Sequence, residues 1–454
     1  MARLGQKRAS RSATRRVLES RTAHEQGETE GVIERLSYEG RGVTRSQDGK
    51  AVFVERTLPG ERVVFAVHTS HRRFDEAHPK EILVASPERV EPMCVHFGVC
   101  GGCDLQHASI ETQRRHKLET LRAHFEQQRI DAPEPLLLAG AEAGYRRRAR
   151  LGVRVNRDGE VLLGYRRRGS DRLFAITQCP VLVPALESLI SPLRECITQL
   201  EHPRHVGHIQ LNDSDQGVEV SVRLMKRVPE DLERLNAFAC AEGISLSVVV
   251  GRDTPSVECI NGEAEHGYTL TIDGLDPVSL AFGSGDFVQV NASVNQQMVD
   301  RLVEWCGPLA QSVVVDLFAG IGNFSLPLAR LGAQIQAFEG QQSMVTRLLD
   351  NARANGLDSH IEGHVADLSR ALRGTTLASA DLVVLDPPRA GAEAIARQLA
   401  DHGPERILYI ACDPATLARD VAHLCEGGYR VVELTVADMF PQTAHLETMV
   451  LLER

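Results

Sequence analysis

Val313-Val314-Val315-Asp316-Leu317-Phe318-Ala319-Gly320-Ile321-Gly322-Asn323-Phe324 reads as a short buried strand, a glycine-bearing loop and the start of a helix. β-Branched residues favour the strand, and the glycines let backbone approach a ligand at a helix N-terminus. A second strand over 333–338 ends at Glu339. An acidic side chain at that strand end can accept both hydroxyls of a ribose. The alternation of strands and helices over 286–454 is the mark of a parallel α/β sheet.

The loop is not G-x-G-x-x-G, and the Lys-Ser/Thr of a phosphate-binding loop is absent. A nucleoside without a pyrophosphate fits better, which points to S-adenosylmethionine. Asp367, where a third strand should end, can bind an adenine amino group or cap a helix. Val383-Val384-Leu385 leads into Asp386-Pro387-Pro388-Arg389. Its prolines hold an extended loop, and Asp386 can bond the edge of a planar ring. The strand 407–411 ends at Cys412, followed by Asp413-Pro414. Isolated cysteines are mostly inert, and Cys196, Cys240, Cys259, Cys306 and Cys425 are read as ordinary core residues. Cys412 differs because a strand's carboxyl end opens on the ligand crevice. A soft, reversible thiolate suits addition to C6 of a pyrimidine, which makes C5 nucleophilic toward a methyl group. Removal of the C5 proton then needs a base. Glu447, in His445-Leu446-Glu447-Thr448 before a last strand at 449–452, is the candidate.

The chain has 454 residues, a 43% hydrophobic fraction and a net charge of −10. That length implies two to four domains. No apolar run is long enough for a bilayer and no apolar signal core opens the chain, so a soluble, cytoplasmic and monomeric protein is expected. The net charge hides local basic clusters. Arg3, Lys7, Arg8, Arg11, Arg15, Arg16 and Arg21 face only Glu19 within residues 1–21. Residues 145–172 carry ten arginines against Asp158, Glu160 and Asp171. Local positive charge binds phosphates whatever the total. A hairpin turn at Asn156-Arg157-Asp158-Gly159 would bring Arg146-Arg147-Arg148 and Arg166-Arg167-Arg168 together.

Residues 1–24 are expected to be a basic disordered tail. Over 25–85, strands at 31–36, 42–44, 51–54, 62–68 and 81–85 suggest a small closed barrel of the OB type. Residues 86–108 form a cysteine loop. The helix at 109–130, within a helical segment 109–137, puts Leu118, Leu121 and Phe125 on one face. Residues 138–285 mix strands with helices near 184–200 and 229–242. Cys94, Cys100 and Cys103, with Cys179 much later, can hold zinc or an iron–sulfur cluster, and His96 and His107 keep zinc open.

Taken together, these residues resemble the RNA uracil-C5 methyltransferase family, over nearly the whole chain from residue 25. The resemblance implies a multidomain α/β plus β protein. It would have an N-terminal OB-type TRAM barrel, a central α+β RNA-binding domain with an iron–sulfur loop, and a C-terminal Rossmann-like class I methyltransferase domain over 286–454. The 109–137 segment would pack on the catalytic domain. It further implies a [4Fe-4S] cluster on Cys94, Cys100, Cys103 and Cys179. Gln289, Phe318, Asn323, Glu339, Asp367 and Asp386 would line the S-adenosylmethionine and base pocket. Cys412 would be the nucleophile and Glu447 the proton acceptor. Within that family, barrel and cysteine cluster together point to a uridine of 23S rRNA. A dual-site 23S enzyme and a tRNA enzyme are the alternatives. From other classes, a non-catalytic RNA-binding assembly factor would dispense with Cys412 or Glu447. A radical enzyme would leave one iron open, whereas Cys179 offers a fourth ligand.

Overall fold

The structure, a computed structural model, describes residues 28–251, 256–263, 265–372 and 376–454. The basic tail expected over 1–24 lies outside the described residues. The chain forms two compact units. One holds the described residues up to Ser37 together with Arg41–Pro87, and the other holds Tyr38–Gly40 with Glu88–Arg454.

In the first unit the sheet curls until its edges meet. Thr29–Val32 pairs antiparallel with Arg62–Ser70, and Arg35–Leu36 pairs antiparallel with Gly42–Arg45. These two strands are consecutive in the chain, so one short segment covers both edges. Ala51–Val54 and Phe74–Val84 lie parallel, as they must in a five-stranded Greek-key barrel. Ile33, Val52, Val54, Val63, Phe65 and Ala77 fill its interior. The last strand begins at Phe74, earlier than the expected 81, because charged residues mask its alternation. Asp75 points inward, but Lys50 Nζ (2.5 Å) and Ser70 Oγ (2.6 Å) satisfy it. Pro79, which has no N–H to give, lies at a register shift opposite Phe65.

In the second unit a seven-stranded sheet runs in the order 173–175, 161–166, 148–155, 206–214, 217–224, 245–250, 256–261. Ile190–Gln199 and Pro229–Glu242 pack on it through Leu193, Ile197, Leu235 and Ala239. The expected hairpin is present between Arg148–Val155 and Val161–Arg166, with Gly159 at φ 85° and Asn156 Oδ1 accepting from the Asp158 and Glu160 N–H groups. A further hairpin, His266–Ile272 with Leu275–Phe282, does not join this sheet. Tyr268, Leu270, Val278 and Leu280 instead share a core with Met298, Leu302 and Leu326. Packing thus assigns that hairpin to the C-terminal region and not to the 138–285 region where strand pattern put it. An alternating pattern alone does not say which core a hairpin joins.

The eight-stranded sheet runs 361–365, 334–339, 313–317, 382–385, 406–411, 447–453, 430–437, 136–138. The first five strands are parallel and Glu447–Glu453 is antiparallel. Both faces are buried, so these strands read as continuous apolar runs. Val314, Val384, Leu408 and Ile410 face one core, and Val315, Val383, Ile407 and Tyr409 face the other. Strand order reverses between Val313–Leu317 and Leu382–Leu385, which opens a crevice at their carboxyl ends. Leu136–Leu138, expected within a helical segment, is the eighth strand and lies parallel to Arg430–Ala437.

Ile110–Gln127 is N-capped by Ser109, whose Oγ accepts the Thr112 N–H. It packs on the C-terminal sheet through Leu121 and Phe125. Its mixed composition is explained by an ion pair in place of further apolar contact. Lys117, fully buried, donates to Asp438 Oδ1 at 2.6 Å and to the Phe440 carbonyl at 2.9 Å, while Arg114 Nε reaches Asp438 Oδ2 at 3.1 Å. Burial lowers the Lys117 pKa, and Asp438 opposes that shift. Removing one partner strands the other charge in a dry site. We therefore expect Lys117→Met to cost roughly 3–5 kcal/mol. Lys117→Met with Asp438→Leu should recover part of that loss. Thermal unfolding followed by circular dichroism checks both; equal loss in the single and double variants would contradict the pairing.

Candidate active site

The glycine loop follows Val313–Leu317 as expected. Phe318 takes φ 67°, unusual for a bulky residue, and the N–H groups of Phe318 and Ala319 both donate to the Phe338 carbonyl (2.9 and 3.1 Å). Gly322 sits at φ 101°, where a Cβ would lie 2.3 Å from Leu326 Cδ1, so only glycine fits. Glu339 closes the second strand. Its Oε2 accepts the Gly320 N–H (3.2 Å) and its Oε1 the Gln341 N–H (3.0 Å), which fixes the carboxylate beside the loop.

Asn323 and Asp367 both have hydrogen-bond partners within the protein. Asn323 exchanges two hydrogen bonds with Asn295 and accepts from the Tyr268 hydroxyl at 2.9 Å. It locks the loop to the 266–282 hairpin. Asp367 is exposed and accepts from Ser369 N–H and Oγ, which hold its pKa down. That is a local turn bond and not a helix cap, since the described residues 368–372 after it form no helix. Gln289 is buried, and its carbonyl accepts Arg147 Nε at 3.0 Å.

Asp316 was not singled out as a site residue, yet its environment is the most unusual in the loop. It is fully buried, Ser325 Oγ donates to its Oδ2 at 2.5 Å, and its Oδ1 has no protein partner. Burial, with Glu339 nearby, raises its pKa to about 7. A buried carboxylate oxygen without a donor is a place for a polar ligand group. With the Glu339 carboxylate and the glycine backbone beside it, the donor set fits an adenosyl ligand carrying an amino acid.

Asp386, Cys412 and Glu447 come together across three neighbouring strands. Ala411 pairs with Thr448 in the antiparallel register, and Leu385 with Tyr409 in the parallel one, so all three side chains emerge at one end of the sheet. Burial pushes the Cys412 thiol up to about 12, and the carboxylates of Glu447 and Asp386 add to the shift; Arg389 opposes it. Burial likewise raises Glu447 well above the usual range, with Asp386 adding to it. Asp386 rises to about 7 through burial and the charge of Asp316. The cluster therefore holds protons near neutrality.

The supporting contacts come mostly from the helix Pro414–Glu426. Asp413 caps it, its Oδ1 accepting the Ala415 and Thr416 N–H groups (3.0 and 2.9 Å). Asp420, fully buried, accepts from the Ala392 N–H and the Tyr409 hydroxyl, both at 2.7 Å. Thr416 Oγ1 donates to the Arg389 carbonyl, and Arg419 Nη2 to that of Ala390. The stretch that follows Asp-Pro-Pro is thus fastened at Arg389, Ala390 and Ala392. Sequence reading missed Asp420, although a carboxylate between Leu417, Val421 and Leu424 on an apolar face is a legible signal.

Cys94, Cys100, Cys103 and Cys179 line one cavity of about 310 Å³, with Tyr145, Tyr165 and Arg146. None of them is in a disulfide. Among the described residues, no three His, Cys, Asp or Glu side chains converge closely enough for a single metal ion. His96 Nε2 accepts the Thr177 N–H at 2.9 Å, which removes it from a ligand set. A mononuclear zinc would draw four sulfurs to about 2.3 Å from one point. Four thiols lining one cavity are a donor type that zinc and iron–sulfur clusters share. Of the five cysteines read as core, Cys196 and Cys306 are buried, whereas Cys240 and Cys259 are exposed.

The arginine triplets are divided between structure and surface. Arg147 is buried over the Tyr268 ring (4.3 Å), Arg148 donates to the Asp286 carbonyl, and Arg168 to the Cys103 carbonyl and Asp104. Arg150, Arg154, Arg157, Arg166 and Arg167 remain exposed.

A parallel sheet whose order reverses beside a glycine loop and an acidic strand end, closed by one antiparallel strand, is the fold of an S-adenosylmethionine-dependent methyltransferase. The sequence profile described as tRNA (Uracil-5-)-methyltransferase matches residues 109–454. The chain belongs to that family. It is 48% identical to the 23S rRNA (uracil(1939)-C(5))-methyltransferase RlmD of Chromohalobacter salexigens, over 100% of this chain and 96% of the relative. It is 50% identical to the RlmD of Halomonas elongata, over 95% and 91%. The Pyrococcus abyssi tRNA (uracil-54, C5)-methyltransferase, solved with S-adenosyl-L-homocysteine, superposes with a TM-score of 0.73 at 23% identity, covering 93% of this chain and 100% of that one. That likeness is one of fold, and it spans nearly all of this chain, so architecture alone does not separate an rRNA substrate from a tRNA.

Because Asp386 raises the thiol pKa, Asp386→Asn should lower it. Alkylation of Cys412 by iodoacetamide, followed by peptide mass spectrometry across pH, should shift to lower pH in the variant. An unchanged or upward shift would contradict the electrostatic coupling.

Proposed function

We propose that this protein methylates C5 of a uridine in 23S rRNA, using S-adenosylmethionine and Cys412 as a covalent nucleophile. The full-length similarity to RlmD proteins supports the substrate. The single observation that carries the chemistry is the grouping of Cys412, Glu447 and Asp386 at the crevice.

S-Adenosylmethionine supplies a methyl group on a positively charged sulfur. Asp316, Glu339 and the 318–322 loop hold it, with Phe318, Asn323, Asp367, Gln289 and Asp386 forming the wider pocket. Cys412 must lose its proton before it attacks, and Asp386, whose pKa lies near neutrality, can take it. The Sγ–C6 bond then forms and the pyrimidine π electrons move onto the C5–C4–O4 system. C5 takes the methyl group, and the methyl–sulfur bond breaks. Glu447 removes the C5 proton, the C5–C6 double bond returns, and the Sγ–C6 bond breaks to release thiolate. Burial makes Glu447 a strong base once ionised, and Arg389 helps to ionise it.

Cys94, Cys100, Cys103 and Cys179 would hold an iron–sulfur cluster of the [4Fe-4S] type. Such a group would tie the 94–103 loop to Cys179 and shape the surface beside Arg166 and Arg167. Exposed arginines on the central hairpin offer the phosphate contacts, and the N-terminal barrel, a TRAM domain, a second RNA platform.

A second reading, methylation of a tRNA uridine, follows the description of the family whose profile matches residues 109–454. Transfer of labelled methyl from S-adenosylmethionine to transcribed 23S rRNA and to tRNA, read as 5-methyluridine after digestion, separates the two. We expect label in 23S rRNA, and at least a thousandfold less with Cys412→Ala, roughly what loss of a covalent nucleophile costs. Label in tRNA alone would overturn the substrate. Protein purified anaerobically should contain iron and acid-labile sulfide and absorb in the visible; zinc in their place would overturn the cluster.

A further inference from the structure

The segment 438–446 joins two strands and delivers Glu447. Its first five residues, 438–442, are each bonded by a part of the chain 148 or more positions away. Gln442 is the centre of that fastening. It is buried and takes φ 71°, a left-handed backbone that a side chain of this size adopts only when its surroundings impose it. Its N–H donates to Gln113 Oε1 at 2.8 Å, and its Oε1 accepts from Gln113 Nε2 at 3.0 Å. Its Nε2 donates to the Glu142 carbonyl at 3.2 Å. Its carbonyl accepts two N–H groups, those of Asp104 and Leu105, both at 3.0 Å. All of its hydrogen-bonding groups are engaged.

Asp104 and Leu105 directly follow Cys103. Tyr145, which lines the cysteine cavity, donates its hydroxyl to the Pro441 carbonyl at 2.9 Å. Two hydrogen bonds from the cysteine loop to Gln442 and one from the cavity-lining Tyr145 to Pro441 therefore join the cysteine site to the segment carrying the base. Gln113 Nε2 also donates to the Leu105 and Ala108 carbonyls (3.2 and 2.9 Å), so one side chain grips both partners.

We propose that Gln442, clamped by Gln113, is a positioning residue that transmits the conformation of the cysteine loop to Glu447. This deepens the function proposed above and rests on Glu447 as proton acceptor and on the four cysteines as a metal-holding set. Metal binding at those cysteines fixes Cys103, hence Asp104 and Leu105, hence the left-handed turn at Gln442 and the entry of Glu447 into its strand. The cluster then serves the last chemical step without touching substrate.

The mechanism gives this a signature that general destabilisation lacks. A misplaced Glu447 leaves thiol addition and methyl transfer intact but slows loss of the C5 proton, so the methylated covalent adduct accumulates on ordinary uridine RNA. Gln113→Ala removes the clamp, and Gln442→Gly keeps the backbone conformation while removing the side chain. Gln442→Asn, which also tolerates the left-handed region, is a milder variant should the others fold poorly. We expect each to retain wild-type iron content, to lower turnover about 10- to 100-fold, as a misplacement near 1 Å does, and to accumulate a denaturant-stable RNA adduct that wild type does not. Amide hydrogen exchange over 438–447 should rise in wild type after oxidative removal of the metal. Reduced turnover without adduct, unchanged turnover, or unchanged exchange after metal removal would overturn the proposal. Wild-type protein that binds no metal at all would overturn the cysteine reading and with it the transmission, while adduct accumulation in Gln113→Ala would still establish the Gln442 to Glu447 link.

Discussion

Three ionisable side chains, Asp386, Cys412 and Glu447, share one corner of the sheet, and the arginine beside them, Arg389, lowers the pKa of both Cys412 and Glu447. Desolvation disfavours each negative charge, and each charge disfavours the next. The result is a site in which burial and mutual repulsion oppose ionisation and Arg389 works against both. An addition–elimination sequence needs ionisable groups, since it must take a proton from sulfur first and from carbon later. Such groups titrate as a set, and their order belongs to the cluster and not to any one residue.

Much of the remaining structure keeps that corner from relaxing. Apart, the three groups would take up water and ordinary pKa values. The sheet supplies adjacency through strand register. Asp420 holds Ala392, just past the Asp-Pro-Pro stretch, and the helix Ile110–Gln127 reaches in with Lys117 and Gln113 to hold Asp438 and Gln442. Buried polar groups are costly unless fully satisfied. Their concentration around Asp438, Gln442 and Asp420 indicates geometry held at some expense of stability.

What was legible in the sequence follows from how local each signal is. The strand–loop–strand from Val313 to Glu339 and the position of Cys412 at a strand end are local patterns, and they fall where expected. The seven-stranded sheet's helices and the arginine hairpin were equally plain. Long-range partnerships were not. Nothing near Asn323 in the chain announces that Asn295 and Tyr268 bond its amide. Asp367 turned to its own Ser369. Nothing near Lys117 in the chain announces Asp438, 321 residues away. The hairpin 266–282 and the strand 136–138 joined a core that their spacing could not name. The pattern around Phe74 was hidden by charges that ion pairs neutralise in the barrel.

The most direct test concerns the sulfur–carbon bond itself. A 23S rRNA fragment carrying 5-fluorouracil has no C5 proton for Glu447 to remove, so the reaction should stop at the methylated adduct. Digestion and tandem mass spectrometry of that product should place a fluorinated, methylated nucleotide on Cys412. Attachment at another residue, or turnover without any covalent product, would contradict the account.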